Sequence, residues 1–311
     1  MHTPSAWRNG FLLAGLVMAS IGCDGWTMGS GRLERVWGRR GITPGRLQKP
    51  RAMAIDAEDQ LYIVDITARI QVFDRDGNYL RGWKTPAYEN GRPTGLTVNQ
   101  QGQLLVADSH YYRILTYTRA GQQIEAETIA GPKGHGPGEF SLVADAVQDS
   151  QGNYYIAEYG GNDRIQKFSA DRQYLLQWGE HGSAPGQFQR PQNLAVDEQD
   201  RIWVADACNH RIQVFDTEGE LQFYWGEPGD APGQLYYPYD LVLDDQNHVF
   251  ICEYGNHRVQ KFTRDGKSLG CWGSSGRSEG HLFNPWALVR DSRGTLHVLD
   301  TNNHRVQRVK M

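Results

Sequence analysis

The chain has 311 residues, of which 39% are hydrophobic, and it contains 36 glycines, 15 tyrosines, 9 tryptophans and only 5 methionines. Abundant glycine and aromatic residues with few methionines favour many short β-strands joined by tight turns over a compact α/β core. The formal net charge of −4 gives no electrostatic case for binding nucleic acid or an acidic membrane surface, whereas small molecules and proteins stay open as ligands.

The first 22 residues have the composition of an export signal. Residues 1–10 carry one basic side chain, Arg8, and no acidic one, and an apolar run follows over residues 11–22. That run is shorter than the roughly 20 apolar residues that span a bilayer, and it fits the apolar region of a secretory signal peptide. It ends in Ala19-Ser20-Ile21-Gly22-Cys23, which resembles the lipobox of bacterial lipoproteins, except that Ser20 stands where that pattern usually has leucine.

This resemblance implies that Cys23 is acylated after residues 1–22 are removed. Residues 23–31 would then form a flexible tether that reaches no more than roughly 30 Å, so the folded domain would lie close to a membrane. We therefore expect a membrane-anchored lipoprotein on the periplasmic or cell-surface side. Secretion without a lipid and an uncleaved anchor are the alternatives.

One unit recurs six times along the rest of the chain, and such a period must be identified before any other feature. In five units an acidic residue is followed nine positions later by a second one, and Asn99 takes the first place in the remaining unit. A short turn and an arginine follow the second acid of each unit. Successive arginines are 44, 51, 47, 47 and 47 residues apart: Arg69, Arg113, Arg164, Arg211, Arg258 and Arg305. Unit length is therefore about 47 residues, which predicts a repeat architecture.

Each unit contains four short strand patterns and no sustained helical periodicity. In the fourth unit we predict strands over residues 194–196, 201–205, 211–215 and 221–225, because turn residues separate short runs of strand-forming side chains. Four-stranded units in a radial array form a β-propeller, which protects its sheet edges. The predicted fold is an all-β, six-bladed β-propeller of four-stranded blades over residues 32–311.

The two ends of the repeat region are complementary. Residues 33–38 resemble the fourth-strand segments at 221–226 and 269–273 but lack the three strands that precede those segments. The sixth unit stops after its third strand. We therefore predict that a strand over about residues 33–37 completes the last blade and closes the ring, which removes two unpaired sheet edges.

The turn motifs resemble those of NHL repeats. The resemblance covers residues 32–311 and is strongest in units four to six, at Asp206-Ala207-Cys208-Asn209-His210-Arg211, Glu253-Tyr254-Gly255-Asn256-His257-Arg258 and Asp300-Thr301-Asn302-Asn303-His304-Arg305. It is weaker in units one and two, where Ile66-Thr67-Ala68-Arg69 and Ser109-His110-Tyr111-Tyr112-Arg113 replace the Asn-His-Arg turn. Membership of this family implies a six-bladed propeller that commonly serves as a binding scaffold.

Residues that are present in every unit are expected to serve the fold. A carboxylate and an arginine that flank one turn can fix that turn by a charge-assisted hydrogen bond. The same reasoning places His210, His257 and His304 in structural turns. A zinc ion shared by these histidines would require all three to meet at the propeller axis.

Ligand binding is expected where the units differ. The residue after the loop proline, or after Val143 in the third unit, begins each innermost strand near one mouth of the central channel. It varies as Arg51, Thr94, Ala144, Gln192, Tyr239 and Trp286. Side chains of such mixed polarity around one opening are suited to holding a ligand. Our candidate ligand-binding residues are therefore Arg51, Gln192, Tyr239 and Trp286.

A candidate metal site lies one residue further along the same strands. Asp145, Asn193 and Asp240 fall in three consecutive units, and oxygen donors of this kind bind calcium. Alternatively, these side chains cap local turns by binding backbone amides. No other cofactor is predicted.

These features favour a non-catalytic scaffold that holds a protein, peptide or glycan at the channel mouth and the adjacent loops. Aromatic residues on the loops add potential contact surface at His110, Tyr111, Tyr112, Tyr159, Tyr236 and Tyr237. A structural or assembly role at the cell envelope is a related possibility. We expect a monomer that reaches the membrane only through its lipid anchor and does not bind nucleic acid.

The alternative is a metal-dependent propeller enzyme with a divalent ion at the channel mouth, lactonase-like or similar to peptidyl-hydroxyglycine amidating lyase. In that lyase family, zinc-binding histidines follow the loop proline, whereas this chain has no histidine at any of the six equivalent positions. The oxygen donors of lactonase-like propellers fall one position earlier than Asn193 and Asp240. We therefore assign no catalytic residue.

Overall fold

The computed structural model describes residues 31–311, which form 24 strands in six antiparallel four-stranded sheets. The strands are β1 Arg32–Trp37, β2 Pro50–Ile55, β3 Leu61–Asp65, β4 Arg69–Phe73, β5 Tyr79–Lys84, β6 Gly95–Val98, β7 Leu104–Asp108, β8 Arg113–Tyr117, β9 Ile129–Ala130, β10 Leu142–Gln148, β11 Tyr154–Tyr159, β12 Arg164–Phe168, β13 Tyr174–Trp178, β14 Pro191–Val196, β15 Ile202–Asp206, β16 Arg211–Phe215, β17 Leu221–Trp225, β18 Pro238–Leu243, β19 His248–Glu253, β20 Arg258–Thr263, β21 Ser268–Trp272, β22 Ala287–Arg290, β23 Leu296–Asp300 and β24 Arg305–Lys310.

The predicted signal peptide over residues 1–22, the candidate lipidation site Cys23 and most of the predicted tether lie outside the described residues. Within the part that the structure describes, no helix is long and apolar enough to cross a membrane.

Each sheet is one blade of a six-bladed β-propeller. The innermost strands β2, β6, β10, β14, β18 and β22 each contact the innermost strand of the next blade, and β22 contacts β2 to complete the circle. The predicted fold class is therefore confirmed, with blades that follow the sequence repeat one to one.

Strand positions in blade 4 show how far the sequence pattern extends. Strands β16 and β17 have the predicted bounds, whereas β14 begins at Pro191, three residues before the predicted start. The additional residues pair with β15 across a β-bulge between Pro191 and Asn193. Because a bulge interrupts the two-residue alternation, the pattern alone did not reveal this part of the strand.

Ring closure by the N-terminal strand is confirmed. Strand β1 pairs antiparallel with β24, from Arg32 opposite Lys310 to Trp37 opposite Val306. The Trp37 side chain is only 8% exposed, and its ring centroid lies 4.9 Å from that of Phe73 in blade 1. The closing strand therefore both completes blade 6 and packs against its neighbour.

The core of residues 31–311 lies between the blades, in six clusters that each draw on two neighbouring blades. A recurrent contact joins the turn before the outermost strand to a tryptophan of the preceding blade. Gly219 has a φ of +85°, and a Cβ atom at this position would lie 2.8 Å from the Trp178 ring. Glycine is required there by both the left-handed backbone and the close approach of the indole.

The repeated acid and arginine form a buried ion pair in every blade, as predicted. The nitrogen–oxygen distances are 2.6 to 2.9 Å for Asp65–Arg69, Asp108–Arg113, Glu158–Arg164, Asp206–Arg211, Glu253–Arg258 and Asp300–Arg305. Arg211 also donates to three carbonyl oxygens of the loop at residues 183–187. The arginine thus ties the turn between the second and third strands to the loop that enters the blade.

The repeated histidines link neighbouring blades. The Nδ1 atoms of His210, His257 and His304 accept the backbone N–H of the residue before the loop proline in the next blade, at 2.9 to 3.0 Å. These residues are therefore part of the scaffold of the propeller.

Candidate functional site

The candidate ligand-binding residues occupy a distinctive backbone position. In blades 1, 4 and 5, the ladder between the first and second strands has a register shift that leaves Arg51, Gln192 and Tyr239 without a partner residue. A β-bulge of this kind changes the direction of the side chain that it carries. Ala144 carries the same bulge in blade 3, whereas Thr94 and Trp286 lie just before the first strands of blades 2 and 6.

The four candidate ligand-binding residues meet at one cavity. Arg51, Gln192, Tyr239 and Trp286 line a space of about 210 Å³ between the innermost strands, and Thr94 joins them from blade 2. Ala144, the equivalent residue of blade 3, does not line it. The structure thus brings together the residues that the sequence singled out, and we call the end of this space that they line the channel mouth.

Aromatic rings form one wall of the channel mouth. Tyr239 contacts Trp286 edge to face at a centroid distance of 5.0 Å and stacks on Tyr254 at 4.5 Å. Burial raises the pKa of Tyr239 to about 12. Its phenol is therefore neutral near pH 7 and can serve as a hydrogen-bond donor.

Guanidinium groups lie over these rings. The Arg51 guanidinium is 5.8 Å from the Trp286 ring centroid, and that of Arg190 is 5.4 Å from the Tyr239 centroid and 5.1 Å from the Tyr159 centroid. Such contacts with a ring face are attractive for cations. Arg190 also donates from Nε to the side-chain oxygen of Gln192 at 2.9 Å.

Arg51 is a partly buried cation without a polar partner among the described residues. Burial lowers the pKa of its guanidinium, the phenol of Tyr159 raises it, and the neighbouring Arg92 and Arg190 lower it further. Arg92 donates to the carbonyl oxygen of Ile66 at 2.6 Å. Within residues 31–311, none of these three arginines has a carboxylate oxygen within ion-pairing distance, so no carboxylate directly compensates the guanidinium of Arg51 at the cavity or those of Arg92 and Arg190 near it.

The three candidate metal ligands lie deeper in the same cavity and link neighbouring blades. Asp145 accepts hydrogen bonds from the Asn193 side chain at 3.0 Å and from the backbone N–H of Leu194 at 3.1 Å. Asn193 accepts from the Leu241 amide at 3.2 Å, and Asp240 accepts from the Leu288 amide at 2.9 Å. These amides belong to the next blade's innermost strand and not to a local turn, which sequence alone could not show.

Burial determines the charge of the two deeper carboxyl groups. It raises the pKa of Asp145 to about 7 and that of Asp240 well above its usual range. Within residues 31–311, no group of three or more His, Cys, Asp or Glu side chains is placed to hold a metal ion. A calcium ion at these positions would have two carboxyl groups and the Asn193 amide as ligands, and it would compete with the backbone hydrogen bonds described above.

The predicted aromatic loop surface is divided by the structure. Tyr159 belongs to the channel mouth, through its contact with Arg190. Tyr236 is 42% exposed and stacks on His210 at 4.8 Å, and Tyr237 packs on the same imidazole. In blade 2, the Tyr111 hydroxyl accepts the backbone N–H of Asn90. These rings therefore form no single patch.

Three residues that lie next to the lining of the channel mouth were missed by the sequence analysis. Arg190 precedes a loop proline, at a position that is Lys49, Tyr237 and Asn284 in other blades. Tyr254 follows the second acid of its unit, as Tyr159 does in blade 3. Arg92 precedes the loop proline Pro93 of blade 2 and so has the same repeat position as Arg190. Both repeat positions vary between blades, and comparing all such positions would have identified these residues.

Comparisons with known proteins support the repeat assignment. The NHL repeat family model matches residues 188–215 and 235–262. NHL repeat-containing protein 3 of Mus musculus is 31% identical over 172 residues, which cover 50% of this chain and 49% of that protein. The chain thus spans about half the length of this relative. Peptidyl-glycine alpha-amidating monooxygenase B of Xenopus laevis is 32% identical over 127 residues, 38% of this chain and 14% of that protein.

Among solved structures, virginiamycin B lyase from Staphylococcus aureus has a TM-score of 0.62 over 91% of this chain and 100% of that chain. The two sequences are only 13% identical. A likeness at this level of identity concerns the fold alone.

Proposed function

Because the chain is an NHL-repeat β-propeller, we propose that it is a non-catalytic binding scaffold that holds a peptide, protein or glycan ligand at its channel mouth. One observation carries this proposal. The residues that differ between blades, Arg51, Gln192, Tyr239 and Trp286, converge on one cavity, whereas the repeated residues are engaged in the scaffold. Similar folds serve many functions, so a function must be argued from such a site.

The chemistry of the channel mouth suits binding. Tyrosine, tryptophan and arginine are the side chains that contribute most to recognition surfaces. A cavity of about 210 Å³ admits a ring or the end of a chain. We expect a protein or glycan partner to insert such a group and to rest on the surrounding loops.

A test of this proposal uses the full chain and a panel of N-acetylated amino acids, their amides and monosaccharides. A ligand that binds the folded state raises the melting temperature in proportion to RT ln(1 + [L]/Kd). At least one compound should do so for the wild type and be recovered unaltered by mass spectrometry. Trp286→Leu should abolish the shift, and Tyr224→Leu, on the exposed face of β17, should retain it.

Two results would contradict a non-catalytic site at the channel mouth. One is a thermal shift that survives in the Trp286→Leu variant, since the ligand would then bind elsewhere. The other is conversion of a compound to product by the wild type.

A metal-dependent enzyme is the second candidate. The matched segment of an amidating monooxygenase and the oxygen donors Asp145, Asn193 and Asp240 in one cavity favour it. Metal analysis and melting curves with calcium or EDTA test this candidate. A bound divalent ion that is lost in Asp240→Ala would support it, and equal melting temperatures under both conditions would oppose it.

The proposed location is the outer or periplasmic side of a bacterial membrane, with Cys23 acylated. This proposal rests on the apolar segment that ends in Ser20-Ile21-Gly22-Cys23. Metabolic labelling with palmitate should modify the wild type and leave Cys23→Ala unlabelled and released from the membrane fraction. Labelling of both proteins would place the lipid elsewhere.

A further inference from the structure

We propose that the ligand of the channel mouth is a small anion attached to a planar ring, held through Arg51 and Arg190. This inference rests on the proposed binding function and assigns the chemical class of the ligand. It starts from Arg51, which lines the cavity, and from Arg190, which contacts the lining residues Gln192 and Tyr239. Bringing like charges together in a partly buried space is unfavourable unless an anion compensates them.

Arg51 is the strongest indication of an absent anion. Its guanidinium lies over the Trp286 ring, and the charges around it are those of Arg92 and Arg190. Five N–H groups in a fixed fork make arginine suited to binding a carboxylate or phosphate in a bidentate manner. In the described part of the chain, none of these donors is used by a protein acceptor.

The carboxyl groups nearest to the channel mouth are already engaged. Asp163 accepts the backbone N–H of Arg190 at 2.8 Å and contacts the His181 ring at 2.8 Å. Asp145 and Asp240 bind backbone amides of the next blade. These acids therefore leave the positive charge of the arginines available to a ligand.

The aromatic wall and the volume define the rest of the ligand. Tyr239 is buried against Tyr254, whereas Trp286 is partly exposed in the cavity, so a ligand ring can pack against Trp286. An engineered cavity of about 150 Å³ holds benzene. The channel of about 210 Å³ that opens at this mouth accordingly has room for one ring together with a carboxylate or phosphate group.

The ligand class is tested by calorimetric titration of the full chain with two matched probes. N-acetylphenylalanine carries a ring and a carboxylate, and N-acetylphenylalaninamide has the same ring without charge. A hydrogen bond to a charged group contributes enough to make the acid bind about tenfold or more tightly than the amide. A higher salt concentration should weaken the binding of the acid and leave the affinity of the amide unchanged.

Phenyl phosphate identifies the source of the anionic group. Tighter binding of phenyl phosphate than of N-acetylphenylalanine assigns a phosphorylated ligand, and the reverse order assigns a carboxylate such as the end of a peptide. Inorganic phosphate, which lacks a ring, should bind at least about tenfold more weakly than phenyl phosphate because it cannot contact the aromatic wall.

Variants connect the preference to the arginines. Arg51→Gln and Arg190→Gln should each reduce the preference for the acid over the amide by about tenfold. Arg51→Lys should restore part of it, because the charge remains. Arg293→Gln, at an exposed site outside the channel mouth, is the matched control and should keep the full preference. Melting curves of each variant establish that it is folded.

Equal affinities of the acid and the amide would overturn the inference, as would a preference that survives in both Arg→Gln variants. If neutral compounds still give a thermal shift that depends on Trp286, the proposed binding function stands and only the ligand class fails. If no compound of either kind binds, both proposals fail.

Discussion

Truncation of Trp37 tests how much the closing strand contributes to stability. Trp37 is the buried residue at the end of β1, 8% exposed, and it contacts Phe73 of blade 1. Removal of a buried tryptophan side chain costs about 3–5 kcal/mol. In a domain of this size that loss lowers the melting temperature by roughly 10 °C. Urea denaturation followed by circular dichroism, together with differential scanning calorimetry, measures both quantities for Trp37→Ala.

Two controls separate packing from other effects. Trp37→Phe keeps a ring and removes an indole N–H that has no partner among the described residues, so it should cost less than about 1.5 kcal/mol. Leu175→Ala, on the outer strand β13 with a side chain that is 48% exposed, should change stability by about 0.5 kcal/mol or less. A Trp37→Ala variant as stable as the Leu175→Ala variant would refute closure by β1. Deletion of residues 32–37 should be more damaging still, because it also leaves β24 as an open edge.

Other variants probe the blade scaffold and the channel. Gly219→Ala should destabilise the folded protein more than Gly186→Ala, because both glycines have φ above +80° but only Gly219 faces an indole. Equal losses of unfolding free energy in the two variants would contradict this prediction. Arg211→Ala should lower the free energy of unfolding by about 3–5 kcal/mol, because it leaves a buried carboxylate without its ion pair. Arg290→Ala breaks a surface ion pair and should lower it by less than about 1 kcal/mol in the same urea titration. For Asp145, a pKa raised to about 7 means that the folded state holds its proton more tightly than the unfolded state, so stability falls as pH rises from about 4 to 7. Between pH 5 and 8 the free energy of unfolding of the wild type should fall by about 2–3 kcal/mol more than that of Asp145→Asn. If the two proteins lose stability in parallel over this pH range, the Asp145 carboxyl does not titrate as described.

The repeat was sufficient to predict the fold because its signals are local and occur six times. The second acid and the arginine of each unit flank one turn, so sequence spacing alone implied the ion pairs of 2.6 to 2.9 Å that the structure contains. Complementary chain ends implied the pairing of β1 with β24. In both cases the partners are fixed by the register of a single blade.

The channel mouth was predicted only in part. Arg51, Gln192, Tyr239 and Trp286 share one position in the repeat, and the symmetry of a propeller brings equivalent positions to one opening. Arg190 and Tyr254 occupy other positions of the repeat, and their place over Tyr239 depends on the turn before Pro191 and on the contact between neighbouring blades. No periodic pattern encodes these distances.

The sequence by itself determined the number of blades, the strands within them, the closing strand and the repeat position whose side chains line the channel. Only the tertiary structure decided that Asp145 and Asp240 bind backbone amides of the next blade, and that Arg51 lines the cavity without a carboxylate partner, with Arg92 and Arg190 nearby. The physical reason is that hydrogen bonding within a blade follows local order along the chain. Charge balance at the channel depends on side chains from several blades, which meet only when the ring is closed.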